Sequence, residues 1–158
     1  RSKKRPKGAV PDKPILEVAG VVMSKTPEGC APQLQVSKDQ LVVTGEKGFR
    51  MARATHGTDT GTWYWECEVL EPEHPEGHCR LGWSLKTGNL QAPVGYDKHS
   101  FAYRDIAGSK VHQSLRTDGY GDSWGPGDVI GAMIRLTALT GEHAREAPLG
   151  HVPNGGGG

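Results

Sequence analysis

Residues 62–70 alternate strictly, with Trp63, Trp65, Cys67 and Val69 on one side and Tyr64, Glu66 and Glu68 on the other. Successive side chains of a strand point to opposite faces, so the pattern predicts a half-buried strand. The same period recurs at 79–85, where Leu81, Trp83 and Leu85 share a face, and at 128–136, where Ile130, Ala132, Ile134 and Leu136 do. Shorter extended runs are predicted at 15–23, 33–36, 40–44, 49–55, 99–104 and 110–114. Turn formers separate them: Pro27, Gly29 and Pro32; Ser37-Lys38-Asp39; Gly45 and Gly48; Pro72 and Pro75; Gly88, Pro93 and Gly95; and the glycine-rich stretch 117–128. Only 139–147 leaves room for a short helix. Many short strands with regular turn signals predict an all-β fold, an antiparallel sandwich or barrel.

Composition and charge refine this picture. Glycine and proline together make about 22% of the 158 residues, against roughly 12% in an average chain. Part of that excess serves turns, and part lies at the end of the chain, which closes in four glycines. Residues 139–158 carry too little apolar surface to offset chain entropy and read as a Gly-rich linker or tail. Residues 1–14 read as a disordered basic arm: Arg1, Lys3, Lys4, Arg5 and Lys7 precede the first acid, Asp12. The folded unit expected between them spans 15–138, and it is mildly acidic although the whole chain carries +1. No apolar run of about 18 residues suggests a membrane helix. The three cysteines, Cys30, Cys67 and Cys79, are too few and too odd for a disulfide framework and suit a reducing compartment. A start at Arg1 reads as a fragment of a longer chain.

Several short motifs carry candidate chemistry. Asp59-Thr60-Gly61-Thr62 matches the sequence around an aspartic-protease carboxylate, which would need a second aspartate from a dimer partner. The alternative is a turn between two strands, which Asp and Gly favour. His74, His78 and Cys79 are close in sequence, but their spacing lacks the paired ligands of a zinc site. The run Gly119–Gly127 lacks the Gly-Lys-Ser/Thr end of a phosphate loop and reads as a long turn. Lys3, Lys4, Arg5 and Lys7 form a nuclear-localisation type of cluster, with a nucleic-acid contact or a solubilising tail as alternatives.

A surface argument remains. Arg80 alternates with Leu81 and Trp83 and therefore faces away from them. Tyr96 follows in a Pro-Gly loop, and Tyr103 and Arg104 lie in the next strand. Arginines among aromatic residues and proline are what a groove for an acidic, extended peptide requires, since the guanidinium binds carboxylates in bidentate fashion and rings supply rigid contact area.

Gly61-Thr-Trp-Tyr-Trp-Glu66, Arg80-Leu-Gly-Trp83 and Gly127-Asp-Val-Ile-Gly131 resemble successive signature strands of SPRY domains. Ala31–Leu34, Gly45–Gly57 and Gly88–Lys98 resemble more narrowly the Ash-two (absent, small or homeotic discs) subunits of trithorax/COMPASS histone H3 lysine 4 methyltransferase complexes. The resemblance implies a SPRY-type antiparallel β-sandwich, incomplete at its C-terminus, and a nuclear scaffold without catalytic residues, cofactor or metal. It implies a groove of Phe49, Arg80, Pro93, Tyr96 and Arg104 that holds an acidic segment of the retinoblastoma-binding-protein-five subunit, the pair then activating a SET-domain methyltransferase. A Dpy-thirty subunit would dock only on the full-length protein, and specific nucleic-acid binding is not implied. The sequence departs from the resemblance at Phe49, where the family usually has Tyr, and at Asp105-Ile106-Ala107, which replaces a basic stretch.

Overall fold

The computed structural model describes residues 20–71 and 77–137. They form an all-β arrangement of eight strands, joined to a single 3-10 turn at Ile106–Gly108. Strands β1 (Leu34–Val36) and β2 (Val43–Gly45) make an antiparallel hairpin. Strands β4 (Arg80–Ser84), β5 (Ser100–Arg104), β6 (Ser109–His112) and β7 (Leu115–Thr117) form an antiparallel meander in chain order. Strands β3 (Gly61–Glu68) and β8 (Val129–Leu136) pair with each other across that whole excursion.

The alternation in β3 does what it predicts. Trp63, Trp65 and Cys67 stand opposite Ile134, Ala132 and Ile130, which makes one apolar face of the ribbon. Tyr64, Glu66 and Glu68 stand on the other face, exposed. The apolar face meets the meander through Trp65 and Trp83, whose rings lie 6.1 Å apart in a tilted pair.

Register divides the meander into two faces. One carries Arg80 and Gly82 of β4, Arg104 and Ala102 of β5, Ser109 and Val111 of β6, and Arg116 of β7. The other carries Leu81, Trp83, Tyr103, Phe101, Lys110, His112 and Leu115. The main buried cluster lies on the first face, where Ala102 and Val111 pack with Met51, Val94 and Leu90. It is small, as the modest apolar content implies.

Differences from the sequence reading have local causes. Residues 15–19 and 139–158, and the basic arm 1–14, lie outside the described residues. Of the run expected to end at Met23, the described part makes only an isolated bridge, Met23 to Ala54. The strand expected at 40–44 starts instead at Val43, because Gln40 adopts a left-handed φ of 61°. Asp39 Oδ1 accepts from Leu41 N at 3.2 Å, and Ser37 Oγ accepts from Val42 N at 3.0 Å, so these side chains build a turn there. Leu85 lies beyond β4 and is exposed rather than joining Leu81 and Trp83. Strand β7 falls partly inside the stretch read as turn.

Candidate functional site

Arg80 opens β4 and Arg104 closes β5, and the register sets them directly opposite each other on one sheet face. Like charges so placed repel. Burial pushes the Arg80 guanidinium below its usual value, and the positive charges of Arg104 and Arg116 add to that, while Asp105 works the other way. The Nε of both Arg80 and Arg104 is buried without a hydrogen-bond partner. Among the described residues the ion pairs are His78–Asp105 and Arg116–Asp118, and neither engages Arg80 or Arg104.

The wall beside this pair is aromatic. Arg80 Cζ lies 5.6 Å from the centroid of the half-exposed Phe49 ring. Such a stack orients the guanidinium plane while leaving its outer edge open. Gly82, two residues along β4, is required by close approach: a Cβ there would meet the Phe101 carbonyl and the Ala102 backbone. A larger residue would push β4 off β5 and carry Arg80 with it.

Pro93 and Tyr96 occupy the loop between β4 and β5. The loop is tied to the Phe49 segment through the core, where Val94 and Leu90 pack with Met51, and Met51 N donates to Leu90 O at 3.0 Å. Tyr96 is exposed, and its N–H donates to Pro93 O at 3.1 Å. Thus the structure brings Phe49, Arg80 and Arg104 together at side-chain range, and sets Pro93 and Tyr96 on an adjoining loop. Lys3, Lys4, Arg5 and Lys7 lie outside the described residues.

Asp105 is less of an obstacle to an acidic ligand than its sequence position suggests. Its Oδ2 accepts from Cys79 N at 3.1 Å and lies 2.9 Å from His78 Nδ1, while Oδ1 accepts from Ile106 N at 2.7 Å. The carboxylate is occupied in fastening the β4 edge to the 3-10 turn. Sequence reasoning did not single out Arg116, which shares the sheet face of Arg80 and Arg104 and pairs with Asp118 at 3.0 Å.

The other candidates resolve into structural roles. Asp59 is exposed in the bend before β3, unlike the shielded, proton-sharing carboxylate an aspartic protease needs. Its neighbour Thr60 supplies the carbonyl that accepts from Trp63 Nε1 at 2.6 Å. His78 is paired with Asp105, and His74 lies outside the described residues. No group of three or more His, Cys, Asp or Glu able to hold a metal occurs among the described residues. The glycine-rich run between β7 and β8 lies under Tyr103, where any side chain at Gly121 would meet the phenol ring.

Comparison with known proteins gives this geometry a family. The chain is 43% identical over 125 residues to the Set1/Ash2 histone methyltransferase complex subunit ASH2 of Drosophila melanogaster, covering 78% of this chain and 21% of that protein. It is 43% identical over 102 residues to the Set1 complex component ash2 of Schizosaccharomyces pombe, covering 64% and 16%. It is 38% identical over 102 residues to the Set1/Ash2 histone methyltransferase complex subunit ash-2 of Caenorhabditis elegans, covering 65% and 18%. The chain therefore spans about a fifth of the length of these relatives. The SPRY domain pattern matches residues 62–140, half of the chain and both strands that carry the arginine pair, so the chain belongs to the SPRY domain family.

Proposed function

We propose that this chain is a non-catalytic scaffold module of a COMPASS-type histone H3 lysine 4 methyltransferase complex in the nucleus. Its groove of Phe49, Arg80, Pro93, Tyr96 and Arg104 takes an acidic, extended segment of a retinoblastoma-binding-protein-five-like subunit. The pair then activates the SET-domain methyltransferase. The observation that carries this reading is the Arg80–Arg104 pair: two half-buried guanidiniums face each other without a carboxylate between them, one of them stacked on Phe49. Such an arrangement costs free energy in the free protein and releases it when carboxylates bridge the two charges. The names of the relatives support the assignment to the complex.

The test is binding of a fluorescent Asp/Glu-rich peptide to the chain and to its Arg80→Glu and Arg104→Glu variants. Reversal of either charge is expected to cost ~2–5 kcal/mol of binding free energy if the pair is desolvated on binding. Unchanged affinity in both variants overturns the groove. Stimulation of a SET-domain methyltransferase by the wild-type chain with its partner subunit, and its loss in the same variants, tests the second half of the reading.

A further inference from the structure

The loop that presents Pro93 and Tyr96 is gripped from outside. Strands β6 and β7 are joined by two residues, Gln113 and Ser114, with His112 and Leu115 as the last cross-strand pair. Both loop residues have left-handed backbone, φ 51° and 60°. Two positive φ values in a two-residue hairpin define a type I′ turn, for which Asn-Gly is the favoured sequence. Gln-Ser there is strained, because a Cβ crowds its own carbonyl in this region.

The strained turn makes a concentrated set of bonds. Ser114 N donates to Gly95 O at 3.0 Å, Ser114 Oγ donates to Tyr96 O at 2.8 Å, and Gln113 N donates to Asp97 O at 3.3 Å. Three successive carbonyls of the loop thus accept from two successive residues of the turn. The opposite side of the loop is held as well. Gly95 N donates to the buried Ser100 Oγ at 2.7 Å, and the Asp97 carboxylate accepts from Asn89 N at 3.0 Å and His99 N at 2.9 Å. Burial works against the charge on Asp97, yet these donors hold its carboxyl below the usual range.

We propose that Ser114 is a positioning residue for ligand binding: its hydroxyl, placed by the strained β6–β7 turn, fixes the Tyr96 carbonyl and with it the orientation of the exposed Tyr96 ring at the groove. This rests on the groove reading above. A turn kept only for stability would have no reason to avoid Asn-Gly. A turn kept to supply a hydroxyl needs a side chain at the second loop position, where glycine would be the relaxed choice.

Three variants of the full chain separate these roles, each measured by thermal melting and by anisotropy of a fluorescent Asp/Glu-rich peptide. Gln113→Asn relieves strain and keeps the hydroxyl, so the melting temperature rises and affinity holds. Ser114→Gly relieves strain and removes the hydroxyl, so the melting temperature holds or rises while affinity falls by about three- to tenfold, the worth of one hydrogen bond. Ser114→Asn, tolerated at positive φ and able to donate from its amide, restores most of the affinity. Opposite signs in stability and affinity for Ser114→Gly are the signature of positioning. Arg80→Glu serves as the control. If it abolishes binding while Ser114→Gly binds as the wild type does, the positioning role is overturned and the groove stands. If Arg80→Glu binds normally, both are overturned together.

Discussion

Arg53 and the Arg80–Arg104 pair are arginines in similar half-buried settings, but they use their donors differently. Arg53 Nη1 donates to Glu28 O at 3.0 Å, and Nη2 donates to Gly88 O. Burial lowers its pKa too, with Asp97 opposing that shift. Its guanidinium is therefore a staple: it joins the segments 24–30 and 84–89 to the strand-like stretch 52–54, whose backbone bonds Gly29 and Ser24. Arg80 and Arg104 have no such carbonyls, and Arg80 leans on Phe49 instead. The contrast teaches that burial of a charge does not by itself mark a binding site. What sets the pair apart is the terminal nitrogens, which hold carbonyls in Arg53 but not in Arg80 or Arg104, since the Nε of Arg53 is unpartnered too.

That contrast breaks most clearly by charge reversal. Arg80→Glu should lose acidic-peptide binding by the ~2–5 kcal/mol of a desolvated pair, yet melt at or above the wild-type temperature, because the like-charge pair becomes an opposite-charge pair with Arg104. A large fall in melting temperature would make the pair structural. Arg53→Ala should behave in the opposite sense. Losing two charge-assisted bonds and the packed alkyl stem should cost about 2–4 kcal/mol of stability by urea denaturation, with affinity per folded molecule unchanged. A weaker-binding but stable Arg53→Ala protein would erase the distinction.

Smaller changes sharpen it. Gly82→Ala forces a methyl against the Phe101 carbonyl, so it should cost about 1–3 kcal/mol of stability as an overpacked site does, and weaken peptide binding because Arg80 moves with β4. Equal stability would mean that β4 and β5 have slack at that point. Phe49→Leu keeps an apolar wall and removes the ring, and should weaken peptide binding by about 0.5–1 kcal/mol, the worth of an exposed cation–π contact. Phe49→Tyr should bind at least as well as the native chain. Isothermal titration of the two variants side by side separates ring from hydroxyl.

Much of the fold was legible because its strands declare themselves by period. β3 and β8 each bury one face, and the alternation of Trp63-Trp65-Cys67 and Ile130-Ala132-Ile134 follows from that directly. β7 was not legible, since Leu115 and Thr117 are both exposed and no periodic burial marks them. Its existence depends on pairing with β6, a tertiary fact. At the site, the sheet face of Arg80 followed from alternation, Arg104 was placed near it only as a residue of the next strand, and the resemblance completed the groove. Their register was not legible, because which residue of β5 faces Arg80 is set by the length and bonding of the intervening loop. The Gln113–Ser114 turn carried no usable signal, as its residues are not those that the conformation prefers.

The pairing of β3 with β8 has a kinetic consequence. The β4–β7 meander is built from neighbours in sequence, whereas the ribbon closes only when the chain returns after completing it. Local pairings pay little loop entropy and form early, while a closure spanning the whole excursion waits. The sheet that carries Arg80 and Arg104 can therefore assemble before Trp65 docks on Trp83. Until the ribbon closes, the opposite face of the meander, with Leu81 and Trp83, is bare, so the interval before closure is when an apolar sheet face is open to wrong partners.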